Sequence, residues 1–249
     1  MTDLSSAPRF GREFLETSRK DSWWAGPLMS GLGFLVFVVY TTWVMLLGTH
    51  YEWGPYLSPM YSPLFRPKWW PFSPAILILW APLGFRMSCY YYRKFYYRAF
   101  FFTPPACAVG ARPQKYRGER ALFLFQNLHR FFLYLALIFV VILSYDAVVA
   151  FNWDGKFGIG VGTIVLVLNA LFIAIFTFGC NSLRHLVGGN MNCYSCATLG
   201  KPRHGLWKIV SRINEHHQLW AWVSMIWVGL TDLYIRLVSM GMITDLRIL

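Results

Sequence analysis

Five stretches of this chain are apolar for the full length of a bilayer crossing, and that decides most of what it can fold into. A helix needs roughly 20 consecutive apolar residues to span the hydrocarbon core. Residues 26–48, 74–93, 128–150, 159–184 and 216–240 meet the requirement. Pro82 and Arg86 interrupt the second stretch, a break that membrane helices tolerate where neighbours satisfy the freed backbone groups. Composition agrees: 56% of residues are apolar and 14% charged, against about 25% charged in a soluble domain. That balance excludes a soluble enzyme, a disordered chain and a disulfide-stapled secreted module. The expected fold is all-α, a polytopic membrane protein built as a bundle of five transmembrane helices. Residues 1–25 form an N-terminal tail and residues 26–249 the membrane domain; there is no internal repeat and no low-complexity tract.

Charge sets the orientation. The formal net charge is +12, and in a chain this apolar the excess belongs in loops that fix topology rather than on nucleic acid. Counting Arg93 and Arg184 at the span ends, 16 Lys and Arg fall on one side and 5 on the other, with Arg86 and Arg130 inside or at the edge of spans. The positive-inside rule then places the N-terminus in the cytoplasm and the C-terminus outside. The first 22 residues carry eight charges and no apolar run, unlike a cleaved signal peptide, so the tail is expected to stay on the mature chain. The outer segment 49–73, rich in Pro, Trp and Tyr, reads as a packed cap or an interfacial belt.

This orientation gathers the reactive residues on one face. All five cysteines (Cys89, Cys107, Cys180, Cys193, Cys196) and five of six histidines lie in the inner half or the inner loops; only His50 faces outward. The inner side is reducing, so disulfides are not expected there. The densest stretch runs from Arg184-His185 through Cys193-Tyr-Ser-Cys196 and His204 to Glu215-His216-His217. A C-x-x-C on a Gly-bearing turn places two thiolates near enough to share one centre, and histidines at the flanking helix ends can supply the other ligands. Two Cys and two His suit tetrahedral zinc or a Rieske-type [2Fe–2S] cluster. His217, Ser224 and Thr231 recur every seven residues as one polar stripe, which in a bilayer faces the bundle interior. The expected ligands are therefore His185, Cys193, Cys196 and His217, with Cys180 and His216 as alternates. Asp232 and Arg236, four apart on the last span, are expected to form a structural ion pair near the outer face.

Two span motifs then carry a resemblance. The third span opens with Gln126-Asn-Leu-His129-Arg130, and the fourth closes with Phe178-Gly-Cys-Asn-Ser-Leu-Arg184-His185-Leu186. In order and direction these resemble the cytochrome b membrane subunit of succinate dehydrogenase, respiratory complex II, over about 120 residues. The resemblance implies a quinone beside Gln126, His129 and Arg130, with the intramembrane cation Arg86 as a further contact. It also implies a flavoprotein subunit and an iron–sulfur subunit as partners, besides membrane lipid. The chain itself carries no nucleotide-binding glycine loop and is catalytic only within the assembly.

The departures from that pattern point to a subgroup. The position of the family's haem-ligating histidine is Phe178 here, which cannot bind iron. The chain therefore resembles the haem-free single-chain anchors of actinobacterial-type enzymes, in which a Rieske-type [2Fe–2S] cluster takes over the relay to quinone. Two-His ligation raises a cluster's potential to about −150 to +300 mV, from about −400 mV for plant-type ferredoxins, which suits a centre between succinate and quinone. A haem b anchor ligated through His129 with His185 or His217, and a zinc-stapled scaffold, are the alternatives.

Overall fold

The computed structural model describes residues 13–111, 120–189, 191 and 193–249, leaving aside the side chains of residues 120–123, 125 and 126. In chain order the elements are α1 (Ala25–Leu47), a hairpin of β1 (Glu52–Trp53) and β2 (Tyr56–Leu57), α2 (Ala75–Ile78), α3 (Trp80–Ser88) and α4 (Tyr90–Ala99). Then come α5 (Arg120–Val149), a second hairpin of β3 (Asn152–Trp153) and β4 (Lys156–Phe157), α6 (Val161–Phe178), α7 (Asn181–Gly188), α8 (Gly200–Glu215) and α9 (His217–Ser239). Each hairpin is antiparallel, with Glu52 opposite Leu57 and Asn152 opposite Phe157.

Among the described residues, four helices are long and apolar enough to cross a bilayer: Ala25–Leu47, Asn127–Val149, Val161–Phe178 and His217–Ser239. The second expected span is instead divided into α2, α3 and α4, so a five-helix count is not what the helices display. Proline explains the first division. Pro82 has no N–H to reach the Ile78 carbonyl, and it is tolerated near the start of α3, where that donor is dispensable. The second division falls at Cys89, whose extended backbone (φ −64°, ψ 134°) ends α3 and starts α4. The expected span 159–184 is broken in the same way at Cys180 (φ −66°, ψ 134°), between α6 and α7.

The bundle packs α9 on α6, α6 on α5 and α5 on α3, with α1 against α4 and α9, and α7 against α8. Close approach of α3 to α5 requires Gly84, since a Cβ there would lie 2.3 Å from the Phe132 ring. One core cluster holds Phe85, Cys89, Tyr92, Leu133, Phe176, Cys180, Ala221 and Met225. Toward the opposite end, Val44, Tyr51, Met60, Tyr61 and Val228 form a second cluster, and Tyr56, Ala150, Leu166 and Ile235 a third. In the segment 49–73 the part up to Ser62 packs: Tyr51 and Tyr61 stack with centroids 4.1 Å apart, and Tyr56 donates to Asp245 at 2.9 Å, whereas Phe65, Trp69 and Phe72 are exposed. The polar stripe of α9 also faces inward, with His217, Ser224 and Thr231 all buried. Asp232 and Arg236 pair at 2.8 Å in full burial.

Candidate metal centre

The two helix breaks create the site. At Cys89 the backbone N–H bonds to the Arg86 carbonyl rather than continuing the α-helical ladder. The Phe85 carbonyl is left to a side chain, and it accepts from His129 Nδ1 at 3.1 Å. A carbonyl only accepts, so Nδ1 carries the proton and Nε2 presents its lone pair. That lone pair faces Cys180 Sγ at 3.0 Å. Ser88 Oγ, whose hydroxyl donates to the Gly84 carbonyl, lies 3.0 Å from the same Nδ1. Phe85 stacks on the imidazole with centroids 4.6 Å apart and rings nearly parallel. His129 is thus held in one tautomer and one orientation.

His217, the first residue of α9, completes a second pair. Its Nε2 lies 4.0 Å from Cys89 Sγ, and its ring stacks on Phe176 at 4.9 Å. Gly179 lets the ring in: a Cβ at that position would lie 3.2 Å from His217 Nδ1 and 2.9 Å from Ile213. That Nδ1 atom is buried with no hydrogen-bond partner, in a residue only 2% exposed. Buried polar atoms are almost always satisfied, so this one asks for an occupant.

Cys89 and Cys180 therefore lie in one core cluster, and His129 and His217 stack on its Phe85 and Phe176, although the sequence separates these residues by up to 128 positions. The donor set is two thiols and two imidazoles. Each cysteine immediately precedes the first turn of a helix. His129 donates its other ring nitrogen to a backbone carbonyl, as metal-bound histidines generally do. Among the described residues, no three His, Cys, Asp or Glu side chains converge closely enough to hold a single metal ion. A two-iron centre does not demand that, because each iron takes only two protein ligands. The residues present fit such a group.

Most of the ligands expected from the loop are not brought together. Cys193 and Cys196 pair with each other in a disulfide, Cα atoms 5.4 Å apart, where no disulfide was expected. The physical reason is local: a turn three residues long already brings the two sulfurs within bonding reach. His185 on α7 is exposed, as is His216 between α8 and α9. His217 was expected as a ligand and Cys180 as an alternate, and both sit in the buried cluster. Cys89 carried no sequence signal beyond its place in an apolar stretch.

The expected quinone contacts are also sorted by burial. His129 is buried against Cys180 and Phe85. Its neighbour Arg130 is exposed at the same end of α5. The side chain of Gln126 lies outside the described residues. Arg86 is partly buried and donates to Tyr92 Oη and, at 3.2 Å, to Ser224 Oγ. Phe178, in the position of the haem ligand of the resembled family, is 41% exposed on the outside of α6; it faces away from the cluster's side of the helix, where Phe176 and Cys180 are buried.

Residues 25–241 match the family model described as actinobacterial succinate dehydrogenase subunit SdhC. The chain belongs to that family. As an SdhC-type chain it is a membrane anchor subunit of succinate dehydrogenase, a succinate:quinone oxidoreductase, and a multi-pass membrane protein. In three dimensions it is similar to a chain of the Mycobacterium smegmatis Sdh1 complex in the apo form. The TM-score is 0.83 at 36% sequence identity, with 98% of each chain covered. No curated protein matches it.

Proposed function

We propose that this anchor relays electrons from an iron–sulfur subunit to quinone through a Rieske-type [2Fe–2S] cluster held by Cys89, Cys180, His129 and His217. The carrying observation is the buried His129–Cys180 and His217–Cys89 pairs, with the unsatisfied Nδ1 of His217 beside them. When bound, such a cluster supplies a one-electron stop at a potential between those of succinate and quinone. The chain's own residues do the rest. Cys89 and Cys180 give up their protons to become thiolates, as metal ligands must. The Phe85 carbonyl holds the proton of His129 on Nδ1 and keeps Nε2 free. Phe85 and Phe176, stacked on the two imidazoles, exclude water from the site.

Quinone is reduced at the inner edge of α5. Arg130, exposed there beside buried His129, donates to a quinone carbonyl, and Gln126 one turn earlier is its partner in that contact. The flavoprotein subunit and the iron–sulfur subunit sit on the cytoplasmic side of a bacterial inner membrane, and electrons enter from there.

The test is iron, acid-labile sulfide, zinc and haem analysis of the purified complex, with electron paramagnetic resonance. Cys89→Ser and Cys180→Ser are expected to remove the anchor's iron and sulfide, its resonance signal and quinone reduction. Cys193→Ser and Cys196→Ser leave all of them in place. Stoichiometric zinc or haem b in the anchor, or dependence on the loop cysteines instead, overturns the assignment. Zinc would require all four ligands on one point, and among the described residues no three such side chains converge on one.

A further inference from the structure

Arg86 is a cation placed in the apolar core of a membrane protein. It lies on α3, three residues before the break at Cys89. Its guanidinium carbon sits 4.9 Å from the Phe176 ring centroid and 5.6 Å from that of Tyr92. Its hydrogen bonds go to the Tyr92 and Ser224 hydroxyls, and Tyr92 in turn donates to the Ala221 carbonyl. All of these partners are neutral. Among the described residues, the ion pairs join Arg19 to Asp21, Arg66 to Glu52 and Arg236 to Asp232, and none involves Arg86. A charge retained at such a depth calls for a functional reason.

Phe176 connects this charge to the metal site. His217 stacks on the same ring that Arg86 covers, at 4.9 Å. We infer that Arg86 is a positioning charge that raises the reduction potential of the centre held by Cys89, Cys180, His129 and His217. The inference rests on the cluster reading above. Two ferric ions, two sulfides, two thiolates and two neutral imidazoles sum to zero charge. One electron, given up by a reduced centre of the iron–sulfur subunit, leaves that sum at minus one. A fixed positive charge nearby favours the more negative form, and in an apolar surround its field is weakly screened. Tyr92 and Ser224 hold the guanidinium in place without cancelling its charge.

The experiment is a redox titration of the purified, assembled complex, following the anchor's electron paramagnetic resonance signal, with iron and sulfide measured on every sample. Arg86→Gln is expected to lower the equilibrium constant for one-electron reduction about tenfold, a downward shift of about 59 mV for a one-electron couple. Arg86→Lys keeps the charge and holds the potential near wild type. Ser224→Asp retains the guanidinium but gives it a carboxylate partner, and lowers the potential in the same direction even if Arg86→Gln fails to assemble. An unchanged potential in Arg86→Gln or Ser224→Asp with full cluster content overturns the inference. So does a raised KM for quinone at unchanged potential, which would make Arg86 a quinone contact. A wild-type complex with no [2Fe–2S] signal in the anchor would instead remove the cluster reading itself.

Discussion

Replacing Asp232 with Leu is expected to be among the most damaging changes outside the proposed metal site. The carboxylate is fully buried and its partner Arg236 is 2% exposed. Asp232 accepts from Arg236 Nε at 2.8 Å, from Tyr40 Oη at 2.6 Å and from the Ser58 hydroxyl. It therefore ties α9 to α1 and to the segment 49–73. Removing one partner of a buried ion pair leaves the other charge uncompensated, which costs about 3–5 kcal/mol. The stranded Tyr40 and Ser58 donors add roughly 1–3 kcal/mol where water cannot reach them. A chain of this size loses about 2–4 °C in Tm per kcal/mol, so Asp232→Leu should lower the melting temperature of the solubilised complex by roughly 8–32 °C. The double variant Asp232→Leu with Arg236→Met removes both charges and fills the space with apolar groups. A buried pair replaced in that way is often neutral in stability, so the double variant should recover most of the loss. The assay is thermal unfolding of both variants in the same detergent, beside wild type. If the double variant melts as low as the single one, the damage does not come from the stranded guanidinium and the reasoning fails.

Arg130→Ala is expected to reduce quinone reduction at least tenfold while succinate oxidation by a water-soluble acceptor persists; equal loss of both activities would point to failed assembly. Gly179→Ala places a Cβ 2.9 Å from Ile213 and 3.2 Å from His217 Nδ1. Overpacking of that kind costs about 1–3 kcal/mol, and here it should also lower the iron content of the purified anchor, whereas the more open Gly205→Ala, with nothing within 4 Å, changes neither.

The features readable in advance were those set by neighbours along the chain. Span length and hydropathy are local sums, and they located α1, the apolar part of α5, α6 and α9. A period of seven put His217, Ser224 and Thr231 on one buried face of α9, because that spacing is close to two helical turns. The i,i+4 spacing brought Asp232 to Arg236 for the same reason. Phe178 could be excluded as a ligand from its side chain alone.

Only the tertiary structure brought the four residues of the proposed centre together. Cys89 and His217 come from helices 128 residues apart, and His129 and Cys180 from helices 51 apart. No sequence interval encodes those approaches. They arise where α3 and α6 each end at an extended cysteine, the first freeing the Phe85 carbonyl that orients His129. The C-x-x-C turn gave the stronger local signal because its cysteines are near one another in any fold, and in this one they bond to each other. Proximity along the chain identifies pairs that need no fold to meet. A buried site between helices depends on backbone breaks and on the packing of distant segments, and these are determined only when the whole chain has folded.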